Sequence, residues 1–177
     1  MGAAGVSNTS ALSCGGTPSG ADTEIWNGVS WTEVADMNDA RWGLEANGTV
    51  TSALAYGGID GPTTNTANTE LWNGASWTEV NNLNTARREA GSAGVDNTSA
   101  LVFGGETPGD TEVANTEEWN GVSWAETSDM NLARNNLGAS GSTTAGVVFG
   151  GNPQSPGVTA ATEEWNSPSN TVKTLTD

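Results

Sequence analysis

The chain has 177 residues, about one domain's worth, and carries 21 Asp plus Glu against 5 Lys plus Arg, a formal charge of −16. That balance repels the phosphates of nucleic acid and of an anionic membrane surface. There is no His, one Cys and one Tyr, which excludes histidine general bases, histidine metal sites and an intramolecular disulfide framework.

No apolar run approaches the ~18 residues of a membrane span, so membrane insertion is not expected. The first residues lack the charged start and apolar stretch of a signal peptide. The 24 Gly and 8 Trp together predict a folded, turn-rich protein, since low-complexity disorder has the glycine without the large aromatics.

A repeat organises the chain from end to end. Trp26, Trp72, Trp119 and Trp165 are spaced 46, 47 and 46 residues apart, preceded by Thr23-Glu24, Thr69-Glu70, Thr116-Glu117 and Thr162-Glu163. Five residues after the first three comes a second Trp, at 31, 77 and 124, where the fourth copy has Asn170. Double glycines recur at 15–16, 57–58, 104–105 and 150–151, and an Asn-x-Ala-Arg phrase ends at Arg41, Arg87 and Arg134.

Each unit predicts four short strands. The first follows the Arg, as over 88–94, and turns through Asp96-Asn97 into the second. The second is apolar and reads as covered on both faces: Ser52-Ala53-Leu54-Ala55-Tyr56, Ser99-Ala100-Leu101-Val102-Phe103 and Gly146-Val147-Val148-Phe149. The third and fourth meet at Asn27-Gly28, Asn73-Gly74 and Asn120-Gly121, the strongest two-residue hairpin signal. No stretch has helical periodicity. Small inner residues and large outer ones suit wedge-shaped sheets packed radially, so the expected fold is all-β. It is a β-propeller of four four-stranded antiparallel blades, near 2–36, 41–82, 87–129 and 134–177, in a single domain 1–177.

The Arg before the innermost strand, the apolar strand ending in Gly-Gly and the spaced aromatics resemble kelch repeats across the whole chain. Kelch units more usually carry Tyr-Asp where this chain has Trp-Asn. The Trp-Asn-Gly-x-Ser-Trp phrase is also similar to kelch-like repeats in structural proteins of marine bacteriophages. The first resemblance implies a propeller; the second implies a virion or extracellular appendage. Kelch-type oxidases use copper with His and Tyr ligands, and sialidase-type propellers use Tyr, Glu and an Arg cluster; neither site is expected here. Whole blades at both termini leave closure to the packing of the first against the fourth. A closed four-bladed ring is favoured over an arc completed by a second copy or an excerpt of a longer array.

Trp26, Trp72, Trp119 and Trp165 are expected to pack blades, while Trp42, outside the repeat pattern, is expected near an exposed face. Glu24, Glu70, Glu117 and Glu163 are expected to receive the forked guanidinium groups of Arg41, Arg87 and Arg134. Four Glu meet three Arg, so one Glu is left over. Cys14 stands where the other units have Tyr56, Phe103 and Phe149, a small apolar substitute. Three Asn-x-Ser/Thr triplets, at 8–10, 47–49 and 97–99, are expected at turns between first and second strands. The opposite face carries the long loops, with Asp60, Glu106, Asp110 and Glu112 as binding candidates beside Trp42. No catalytic residue, metal site or cofactor is expected. Ca²⁺ is the one ion the loop carboxylates leave open, without EF-hand spacing. The expected function is non-catalytic: a structural or recognition module that displays its loops to a protein or glycan, or assembles with copies of itself. An intracellular protein-interaction scaffold and a carbohydrate-binding propeller are the alternatives.

Overall fold

The computed structural model describes residues 1–17, 20–154, 157–166 and 171–175. Among them there is no helix, and strands follow the repeat. The first sheet is β1 (Gly2–Ser7), β2 (Ser10–Gly16), β3 (Gly20–Trp26) and β4 (Trp31–Glu33). After a short β5 (Arg41–Trp42) come β6 (Glu45–Thr49) and β7 (Ser52–Tyr56). A small ribbon, β8 (Ile59–Asp60) and β9 (Thr64–Asn65), leads into β10 (Thr69–Trp72) and β11 (Trp77–Val80). The third unit has β12 (Gly91–Asp96), β13 (Ser99–Phe103), the ribbon β14 (Glu106–Thr107) and β15 (Thr111–Glu112), then β16 (Thr116–Trp119) and β17 (Trp124–Glu126). The fourth has β18 (Gly138–Ser142), β19 (Ala145–Phe149), β20 (Thr162–Asn166) and β21 (Thr171–Leu175).

These form four antiparallel sheets with strand orders β1-β2-β3-β4, β6-β7-β10-β11, β12-β13-β16-β17 and β18-β19-β20-β21. The innermost strands stand side by side in chain order, β1 by β6, β6 by β12 and β12 by β18. A channel of about 210 Å³ runs between them, lined by small residues of all four, Ala3, Ala46, Ala93 and Ala139 among them. The architecture is β-propeller-like. The array is not closed, however: Trp31 of the first sheet and Phe149 of the fourth are both exposed.

Local chemistry accounts for the repeated phrase. In each unit the first Trp donates its indole N–H to a carbonyl in the turn between the first two strands: Trp26 to Asn8, Trp72 to Val50, Trp119 to Asn97 and Trp165 to Thr143. The second Trp reaches the preceding sheet, Trp77 Nε1 bonding Thr23 Oγ1 at 2.9 Å and Trp124 Nε1 bonding Thr69 Oγ1 at 3.1 Å. Thr116 Oγ1, whose partner would come from the fourth unit, is buried without one; Asn170 lies outside the described residues. The first glycine of the first three pairs allows a close backbone approach. A Cβ at Gly15, Gly57 or Gly104 would lie 2.6 Å from the carbonyl oxygen of Arg41, Arg87 or Arg134. Those glycines take φ of +65, +66 and +58°.

Three sequence expectations need correction. The Asn-Gly turns are longer than two residues: Trp26 pairs with Trp31 across the hairpin. Asn27 works through its side chain, accepting from the N–H groups of Val29 and Ser30, and only Gly28 has positive φ. Asn47 lies within β6 rather than in a turn; it is buried and donates to the Asp96 carbonyl in the next sheet. Trp26, unlike its three buried counterparts, is only half-buried.

Candidate functional site: the loop-face mouth of the channel

The arginines that lead into sheets two to four form buried pairs with glutamates of those sheets: Arg41 with Glu70 at 3.1 Å, Arg87 with Glu117 at 2.7 Å and Arg134 with Glu163 at 2.9 Å. They do not fork onto the carboxylate. One guanidinium nitrogen meets Oε1, while others reach backbone carbonyls, as Arg87 reaches Gly104 and Asn115. The second carboxylate oxygen accepts from the linker before the Arg, at Asn38, Asn84 and Asn131. Each motif therefore clamps a linker onto the sheet it leads into. Burial pulls the three guanidinium groups below their ordinary value and the paired carboxylate opposes it. Glu24 is exposed, and among the described residues no Arg reaches it.

Two residues after these arginines the chain turns toward the channel mouth. Gly43, Glu89 and Asn136 occupy equivalent positions in the second, third and fourth units, and all have left-handed backbone, φ +64, +53 and +50°. They are linked in series: the Glu89 N–H donates to Gly43 O, and the Asn136 N–H donates to Glu89 O. The Glu89 carboxylate accepts from Asn136 Nδ2 at 2.8 Å and from Asn135 Nδ2 at 3.4 Å. Beside them opens a cavity of about 440 Å³ lined by Met1, Thr17, Trp42, Glu45, Glu89 and Asn136 among others.

Glu45 begins β6 at the register occupied by Gly2, Gly91 and Gly138 in the other sheets, since it pairs with Tyr56 as they pair with the equivalent Cys14, Phe103 and Phe149. Burial pushes its carboxyl up to about 8, against a hydrogen bond from Ser92 and the N-terminal ammonium, which both pull it down. Burial likewise pushes the Cys14 thiol up to about 12, the behaviour of an inert core residue.

The sequence-predicted candidates separate into three kinds. Trp42 lines the cavity, half-buried, opposite Ile59 in the β5–β8 pair. Asp60 is exposed, across that pair from Arg41, and is not on the cavity. Glu106 is buried in a structural network rather than offered to a ligand: it pairs with Arg88, and its other oxygen accepts from Asn135 Nδ2 at 2.6 Å. Arg88 also meets exposed Asp110 at 3.1 Å and donates to Asn65. Glu112 is opposite Glu106 across the β14–β15 ribbon, with one oxygen buried and unpartnered. Among the described residues no group of three or more acidic or Cys side chains is placed to hold a metal ion, and no helix is long and apolar enough to cross a membrane, which says nothing of a β-barrel.

Sequence reasoning missed Glu45 and Glu89. The available signal was departure from the repeat: a carboxylate where the sister units have glycine, or glycine and asparagine.

No family model matches the chain, and no curated protein matches it. Among solved structures, that of YjhT is similar, with a TM-score of 0.81 at 12% identity over 98% of this chain. The chain covers 64% of YjhT, less than two thirds of its length. At that identity the likeness is one of fold: all-β, with propeller-like packing of antiparallel sheets.

Proposed function

We propose that the protein is a non-catalytic recognition module whose four sheets are kelch-like propeller blades. In this reading the loop-face cavity binds a protein partner through a basic side chain. The observation that carries it is the convergence of Trp42, Glu45 and Glu89 on one cavity of about 440 Å³. An indole beside the Glu89 carboxylate suits an ammonium or guanidinium group, while Glu45, with its carboxyl pushed up to about 8, offers a mainly protonated donor and acceptor at neutral pH. A glutamate held in left-handed backbone costs of the order of 1 kcal/mol relative to glycine, which supports a role for Glu89 other than folding. The burial of the one Cys and the one Tyr, with no histidine in the chain, supports a site that binds without turnover. A virion or other extracellular appendage is the proposed setting, supported by the resemblance of the repeats to phage structural proteins.

Trp42 with the Asn136 amide favours a second reading, a glycan stacked on the indole. Calorimetric titration with Lys- and Arg-bearing peptides and with neutral oligosaccharides separates the two. The expected result is peptide binding that falls with added salt and weakens about tenfold in Trp42→Ala and in Glu89→Gln. Salt-insensitive saccharide binding replaces it with the second reading, and hydrolysis of any glycoside overturns both.

A further inference from the structure

Every junction between consecutive sheets is made from corresponding apolar faces, and the first two add an indole–Thr hydrogen bond. The earlier sheet offers its second-strand residues and the Thr of the Thr-Glu pair, such as Leu54, Tyr56 and Thr69. The later sheet offers small second-strand residues and tryptophans, such as Ala100, Val102, Trp119 and Trp124. At the second junction the Tyr56 ring meets Trp124 edge-on, with centroids 4.8 Å apart; at the third, Phe103 meets Trp165 at 6.3 Å.

At the two ends of the array each face stands open. Phe149 is 48% exposed, against 1% for both Tyr56 and Phe103. Trp31 is 47% exposed, against 6% and 5% for Trp77 and Trp124. Thr162 pairs with Phe149 as Thr69 pairs with Tyr56 and Thr116 with Phe103. The acceptor for an indole N–H is thus present on one open face, and the indole that lacks an acceptor is on the other.

We propose that a second copy of this chain covers these faces head to tail. The fourth sheet of one copy packs on the first sheet of the next, with Phe149 edge-on to the neighbouring Trp31 and the Trp31 indole N–H on Thr162 Oγ1. The occupant follows from continuity: the open faces are the two halves of an interface whose apolar part the chain builds three times, and whose indole–Thr bond it builds twice, within itself, and each half is present once. Such a heterologous contact closes into a ring or grows into a filament according to its rotation. None of Arg41, Arg87, Arg88 and Arg134 is free to meet Glu24, because each is already paired. Two copies, each with a charge of −16, repel at long range while the contact itself is apolar, so added salt promotes assembly. This proposal uses neither Trp42 nor Glu89 and is independent of the loop-face reading.

The test uses two variants that each spoil one face, Phe149→Glu and Trp31→Glu. Both positions are exposed, and melting curves matching wild type establish that the fold is kept. Light scattering is expected to give wild-type masses that rise with protein and salt concentration in multiples of one chain. Each variant alone stays at one chain. An equimolar mixture stops at two chains, because one good copy of each face remains. Wild-type protein that keeps the mass of one chain at every concentration, variants that assemble like wild type, or a mixture that stays at one chain overturns the proposal.

Discussion

Arg87 and Arg88 are neighbours in the chain and belong to different regions of the molecule. Arg87 lies in a seam, its side chain 1% exposed and paired with a Glu117 side chain that is fully buried. Arg88 lies on the loop face, 19% exposed, shared between nearly buried Glu106 and an Asp110 that is 85% exposed. The seam arrangement occurs three times with the same partners, whereas the loop-face network occurs once. Repetition marks the groups that hold the fold, and departure from repetition marks those free to do something else.

Removing one partner of a fully buried pair strands the other charge, so Arg87→Ala is expected to lose about 3–5 kcal/mol in urea unfolding. A loss below about 1 kcal/mol would remove the distinction between seam and loop face. Thr69→Val should lose roughly 1–3 kcal/mol, because it deprives the buried Trp124 indole of its acceptor. Thr116→Val, at the equivalent position with no partner to lose, should be neutral or stabilising in the same assay. Arg88→Ala is expected to cost about 1 kcal/mol, since water screens the Asp110 arm and only the Glu106 contact is sheltered.

A different kind of effect is a pH slope. Glu45 ordinarily titrates near 4.5 and in the fold near 8. Between those values the folded chain holds a proton that the unfolded chain has released. Stability from this group is therefore full below about 4.5 and declines as pH rises to about 8. Glu45→Gln should flatten that part of the stability profile; a slope unchanged by the substitution would place its origin elsewhere.

Much of the scaffold was legible because its contacts lie within one repeat or between adjacent ones. The Trp72 bond to Val50 spans 22 residues, and the Arg87 bond to Glu117 spans 30; both recur at the repeat period. Asn47 was misread because Asn-Gly-Thr has turn chemistry, while in the fold its amide is used by the neighbouring strand at Asp96. Glu106 was misread because a carboxylate in a long loop carries no sign that Arg88 and Asn135 will enclose it. The cavity was invisible for a related reason: Trp42, Glu45, Glu89 and Asn136 come from three units and meet only around the channel.

By itself the sequence determined four like units, their strand order and the partners that each Thr-Glu-x-Trp phrase requires, because those choices rest on short-range spacing and on burial of small against large residues. The tertiary structure alone decided which carboxylates reach the channel mouth and that the first and fourth sheets keep an open face. Both depend on the rotation accumulated from sheet to sheet, a sum of small packing angles that no single repeat encodes.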